Sequence, residues 1–309
     1  MHAICFSMKL TTSIRESFLD LFYKEIECDI EGTNSKLNLH ILKIENNQFC
    51  YPELINELSN HFISFSLSRK EINDFKKNEK YGELYRKAAS KFRDYNVNEG
   101  EAGELLLFCF LESHLKAPKI LTKLEIKLSS KDYAKGSDGV HLLEIAHNKY
   151  QLIFGESKLN QDLTTSISKA FVSINDFIHR TKNNINDEIG LINSQLSKET
   201  FDEDLYLFIK SVIIPKANDE SPIIKNNAFA IFAGFEINPT VEEKKLGNDK
   251  FLELIRKKIK LEVEGKIDHI KNKITEFELY NYTFYVYVFP FMKLDEIRKQ
   301  IIKKITLAE

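Results

Sequence analysis

The segment Tyr150-Gln151-Leu152-Ile153-Phe154-Gly155-Glu156-Ser157-Lys158-Leu159 constrains this chain more than any other. Side chains alternate between the two faces of a strand, so Leu152, Phe154, Glu156 and Lys158 project from one side. That face begins apolar and ends charged. A carboxylate and an ammonium that continue a buried face carry a desolvation cost unless they meet each other, a metal or a ligand. The spacing Glu-x-Lys also sets a potential metal ligand beside a cation able to orient water or stabilise developing charge. Taken alone the pattern means little, because a chain with 44 Lys+Arg and 46 Asp+Glu contains such pairs by chance, usually as surface ion pairs. Its weight comes from its surroundings.

Those surroundings form an ordered series. A buried helix is expected from about Asn98 to Lys116, followed by strands near Ile120–Leu128, Gly139–Ile145 and Tyr150–Leu159 and a helix over about Leu163–Arg180. After a polar stretch, Ala228–Ile237 reads as a strand, Val241 to Ile274 as one long charged helix, Tyr282–Phe289 as an aromatic strand, and a closing helix starts at Leu294. Strands separated by a few residues pair antiparallel, and strand–helix–strand units pair parallel. The predicted fold is therefore α/β, a mixed central sheet flanked by helices. Upstream, Leu37–Ile44 is strand-like, Leu54, Leu58, Phe62 and Phe65 recur at helical spacing, and a charged helical stretch runs from Ser68 to about Tyr95. Residues 1–97 read as an N-terminal α/β lobe and residues 98–309 as the domain that carries the chemistry.

The longest apolar run, Leu105 to Leu111, is far short of the ~20 residues needed to span a membrane, and Met1-His2-Ala3-Ile4 lacks the form of a secretion signal. Cys5, Cys28, Cys50 and Cys109 form no C-x-x-C pair, which fits reduced thiols in a cytoplasmic protein. The net charge of −2 excludes indiscriminate coating of nucleic acid. Its distribution is uneven: residues 98–241 hold 15 Lys/Arg against 20 Asp/Glu, and residues 242–309 hold 15 against 12. Excess carboxylates suit a hard-cation site. The basic tail reads first as ordinary solvated helix faces.

Two further carboxylates converge on the Glu156 strand. Asp138, in Lys135-Gly136-Ser137-Asp138-Gly139, stands at the mouth of a strand joined to that of Glu156 by a short hairpin near Ala146-His147-Asn148-Lys149. A loop of two or four residues sets Asp138 opposite Ser157 with its side chain on the wrong face, so a bulge is needed, and Gly139 is the expected place for it. Glu104 opens the buried helix as the only charge on the stripe Glu104, Phe108, Leu111, Leu115. Glu101 competes with it from a more mixed face, and first-turn acids such as Glu99 and Glu101 are also favoured simply by the helix dipole.

A helix Glu, a strand Asp and a strand Glu-x-Lys, here Glu104, Asp138 and Glu156-x-Lys158, resemble the PD-(D/E)XK nuclease superfamily. More narrowly, Leu106–Phe110, Gly136-Ser137-Asp138-Gly139 and Phe154-Gly155-Glu156-Ser157-Lys158 are similar to the HamA family, the small component of the bacterial Hachiman anti-phage system. The resemblance implies a restriction-endonuclease-like core that hydrolyses DNA phosphodiesters with Mg2+, Mn2+ being a possible substitute. It also implies a HamB-type helicase partner that restrains the nuclease. Carried over by position, Asp138 and Glu156 are metal ligands, and Glu104 is an added ligand or a holder of water in the ion's shell. Lys158 positions or activates the attacking water; flanked by carboxylates it stays charged, which favours electrostatic and orienting work over base catalysis.

Other residues carry weaker signals. His141 and His147 read as packing or loop histidines, because no zinc set completes around them. Gln161 and Asp162 are secondary candidates for contact with substrate or metal. The aromatic segment Tyr280–Phe289 is able to stack bases but reads first as core. The alternative to an endonuclease is a non-catalytic nuclease-fold adaptor that binds DNA and a helicase.

Overall fold

Five strands come from the acidic half of the chain and the aromatic segment, and two from the N-terminal residues, yet all seven share one sheet. The computed structural model describes residues 10–97, 100–127, 136–215 and 223–307. Within them the strands are β1 (Phe22–Ile30), β2 (Ser35–Leu42), a small ribbon of β3 (Ile44–Glu45) and β4 (Gln48–Phe49), β5 (Lys119–Thr122), β6 (Gly139–Ala146), β7 (Lys149–Leu159), β8 (Ile224–Glu236) and β9 (Thr283–Phe291). The main sheet runs β1-β2-β9-β8-β7-β6-β5. Its centre, β2, β9, β8 and β7, is parallel, and β1, β6 and β5 are added antiparallel at the two sides. This is the mixed central sheet the element order predicts. The parallel strand β9 is buried nearly end to end and β8 from Ala228 to Phe235, as strands covered on both faces must be.

The helices before the site are α1 (Tyr51–Ser66), α2 (Arg69–Lys77), α3 (Tyr81–Ala89), α4 (Glu101–Ser113) and the short α5 (Lys123–Ile126). Those after it are α6 (Leu163–His179), α7 (Ile185–Gln195), α8 (Glu203–Ile213), α9 (Val241–Lys244), α10 (Asn248–Glu264), α11 (Ile267–Glu276) and α12 (Leu294–Thr306). The predicted stripe of α1 holds, with Leu54, Leu58, Phe62 and Phe65 all buried. Helix α4 is buried almost all round and packs on β7 and β8, and α6 packs on the same two strands.

Several boundaries move. The strand expected over Ile120–Leu128 ends at Thr122, whose side chain accepts the Glu125 N–H and starts α5. The single helix expected from Val241 to Ile274 is three, with Gly247 as the N-cap of α10 and Gly265 as its C-cap. The polar stretch after Arg180, which shows no clear period in the sequence, folds into α7 and α8. Asn98, Glu99, Leu128, Lys135 and Cys5 lie outside the described residues. Cys28, Cys50 and Cys109 are free thiols. Among the described residues no helix is long and apolar enough to cross a membrane.

Candidate active site

The β6–β7 hairpin closes through a two-residue turn in which Asn148 adopts φ 56°, with Ala146 paired to Lys149. Left regular, that register carries Asp138 to Ser157. The ladder instead shifts between Glu144 and Ala146, where Ile145 is the unpaired extra residue, and from Glu144 to Gly139 the pairing runs Glu144 to Tyr150 and Gly139 to Gly155. Asp138 is thereby brought opposite Glu156. A bulge does the re-aiming, as expected, but it sits at Ile145 near the turn and not at Gly139.

Asp138 immediately precedes the first residue of β6. Its N–H donates to the Gly155 carbonyl at 2.9 Å, and its Oδ2 accepts the Ser157 N–H at 2.8 Å. Oδ1 faces Lys123 Nζ at 3.3 Å. On the neighbouring strand Glu156 Oε1 lies 2.5 Å from Lys158 Nζ. Each strand carboxylate thus has its own ammonium. Lys123 was not singled out from sequence; its one local signal is the Thr122 cap that turns β5 into α5 and leaves Lys123 in the first turn facing Asp138.

Glu104 differs. It lines the same cavity, yet its Oε2 is buried without a hydrogen-bond partner among the described residues. Its rival Glu101 is a structural residue: Oε1 pairs with Lys127 Nζ at 2.6 Å and Oε2 accepts the Arg93 N–H at 2.9 Å. Close approach of α4 to β7 depends on Gly103, where a Cβ would collide with Ser157 Oγ.

Electrostatics follow from this geometry. Burial, and then the Asp138 charge, push the carboxyl of Glu104 well above the usual range. Glu156 is raised for the same two reasons, with Lys158 acting against them. Burial disfavours the Lys158 and Lys123 charges, but Glu156 and Asp138 respectively outweigh it, so both ammonium groups are held more firmly protonated than usual. Three carboxyl groups face two lysines, so without a cation the third, at the orphaned Glu104 oxygen, is held in its protonated form near neutral pH.

These groups open onto one cavity of about 670 Å3. Its floor is Glu104, Asp138, Glu156, Lys123 and Lys158, its apolar wall is Phe154, Ile174 and Phe177, and its rim includes Arg180 and Lys182 just beyond α6. Both rim residues are exposed. Neither was a candidate from sequence, because cations at a helix end carry no spacing signal. Among the described residues no group of three or more His, Cys, Asp or Glu side chains is already drawn together to hold a metal ion. The donor set nevertheless suits a hard divalent cation: oxygens only, in excess of the local positive charge, one of them unpartnered.

The weaker candidates resolve as follows. His141 is buried, its Nδ1 is 2.8 Å from the Ala117 carbonyl, and burial lowers its pKa to about 4, so it packs. Asp162 caps α6 by accepting the Thr165 N–H at 2.7 Å, and neither it nor Gln161 lines the cavity. Tyr285, Tyr287 and Phe289 are buried in β9, as the core reading of that segment expects.

The sequence model of the HamA family matches residues 16–305, which takes in every strand and helix from β1 to α11 and nearly all of α12. No curated protein matches the chain.

Proposed function

This chain belongs to the HamA family, and from that premise we propose that it is the Mg2+-dependent DNA endonuclease of a Hachiman anti-phage complex, restrained by a helicase partner. Family membership makes it a component of that defence system. The observation that carries the catalytic reading is the convergence of Glu104, Asp138 and Glu156 on one cavity with an unpartnered Glu104 oxygen.

Asp138 and Glu156 would hold the ion, with Glu104 as a third ligand or as a holder of water beside it. Bound there, Mg2+ supplies Lewis acidity toward the scissile phosphate and makes water a better nucleophile. Lys158 stays a cation and so orients the attacking water and offsets charge on the phosphate, without acting as base. Lys123 pairs with Asp138 and keeps it aimed. Arg180 and Lys182 on the rim contact backbone phosphates flanking the scissile bond, a role open to cations around an otherwise carboxylate-lined cleft.

A phage challenge of cells carrying the intact system tests this reading. Glu156→Ala/Lys158→Ala is expected to abolish protection while the protein still accumulates and still binds its helicase. Protection retained by that variant would favour the second reading, a nuclease-fold adaptor that acts through binding alone.

A further inference from the structure

Glu188 lies outside every catalytic role assigned above, yet it is buried directly behind the Asp138 segment, 7% exposed. It sits on α7, whose Ile185 and Ile192 fix the helix in the core. Its Oε1 accepts the Ser137 hydroxyl at 2.9 Å. Gly136 passes so close that a Cβ would collide with Glu188 Oε2, and its φ of +131° is one that glycine alone adopts without strain. The carboxylate and the segment therefore fit each other at two consecutive residues, immediately before Asp138. Helix α7 is anchored in turn, because the chain leaving it reaches Glu199, which is buried and pairs with Arg69 Nη1 at 2.5 Å.

We propose that Glu188 is a positioning residue of the active site: it grips Gly136-Ser137 so that Asp138 stays in register opposite Glu156. The consequence for metal and DNA rests on the nuclease reading, whereas the consequence for the Asp138 geometry does not. The Ser157 N–H reports that geometry, since its partner on the β6 side is Asp138 Oδ2. Without Glu188 the segment loses that hydrogen bond, Asp138 drifts, and the Ser157 amide opens to solvent.

The test combines amide exchange with Mn2+ titration calorimetry and DNA cleavage on the full chain. Glu188→Ala is expected to speed exchange at Ser157 by about tenfold, the equivalent of one lost hydrogen bond, while Leu152 in the middle of the ladder keeps its protection. It is also expected to weaken Mn2+ binding and slow cleavage by about tenfold or more. Ser137→Ala should reproduce part of each loss, the double variant should be no worse than Glu188→Ala, and Glu188→Gln, which still accepts one hydrogen bond, should fall between. If Glu188→Ala does not fold, Ser137→Ala carries the same readouts. Exchange at Ser157 within about twofold of the parent in a folded Glu188→Ala or Ser137→Ala variant would overturn the proposal. A parent protein that binds no Mn2+ and cuts no DNA would sink the nuclease reading alone, because the exchange result still decides the positioning role.

Discussion

Asp138 Oδ2 accepts the backbone N–H of Ser157 at 2.8 Å, so the residue just before β6 is tied by its side chain to the main chain of β7. This places Asp138 by backbone geometry, and it leaves Oδ1 turned toward Lys123 and the cavity.

In the proposed nuclease Asp138 has a structural and a chemical role that substitution separates. Asn keeps an oxygen for the Ser157 N–H but loses the charge, whereas Ala leaves that buried N–H unpartnered at a cost of about 1–3 kcal/mol. Asp138→Asn is expected to melt close to the parent and to be inactive. Asp138→Ala should be inactive and also melt several degrees lower, by calorimetry.

Ile145 is the residue that the β6–β7 ladder leaves unpaired. Deleting it converts the bulge to a regular ladder with Glu144 still opposite Tyr150 and Asp138 still opposite Glu156. The deletion is expected to retain cleavage within about tenfold, whereas a second residue inserted after Val140, on the site side of the bulge, should abolish it by turning Asp138 to the other face. Loss of activity in the deletion, with fold intact by circular dichroism, would show that the bulge shapes the site beyond its register.

Much of this arrangement is legible in the sequence. Period-two alternation exposes the odd face of β7, and helical spacing isolates Glu104 as the charge on an apolar stripe. The register of Asp138 was legible as a problem, because arithmetic on the hairpin showed that some bulge was needed; its location was not, since an exposed Ile in a strand end looks like any other. Lys123, Arg180, Lys182 and Glu188 escaped because their relation to the site is purely tertiary. Each lies on an element, α5, the end of α6, or α7, whose approach to β7 is set by packing and not by local spacing. The break of the long charged helix at Gly247 and Gly265 was visible as two glycines but outweighed by the periodicity on either side.

Stability should fall as pH rises near neutrality when no divalent ion is bound. Burial raises Glu104 to about 8, Glu156 to about 7 and Glu199 to about 8, each above an unfolded value of 4.5. The folded state then holds protons that the unfolded chain has released, and this contribution is lost as pH climbs through the folded values. His40 and His141, lowered by burial to about 3 and about 4 from 6.5, act in the opposite sense, but only below about pH 6.5. Melting in EDTA is therefore expected to drop between about pH 7 and 8.5, and Glu104→Gln should raise the melting temperature and flatten the slope. A melting temperature that is flat or rising over that window would contradict the burial argument.

Arg180 and Lys182 stand on the rim with no role in holding the carboxylates. If they bind phosphates, Arg180→Ala/Lys182→Ala should weaken DNA binding and reduce the slope of log affinity against log salt by about 1.4–1.8, the release expected for two contacts. The loss should fall on KM more than on kcat. An unchanged salt slope in fluorescence anisotropy would remove both from the interface.

The most direct measurement is cleavage of plasmid DNA by this chain together with the proposed helicase partner, in Mg2+ and in EDTA, comparing the parent with Glu156→Ala/Lys158→Ala. The expected result is Mg2+-dependent nicking or linearisation by the parent and a loss of at least about a hundredfold in the variant, which lacks the proposed metal ligand and the cation beside it. Cleavage by the variant at the parent's rate, or equal cleavage in EDTA, would contradict the account.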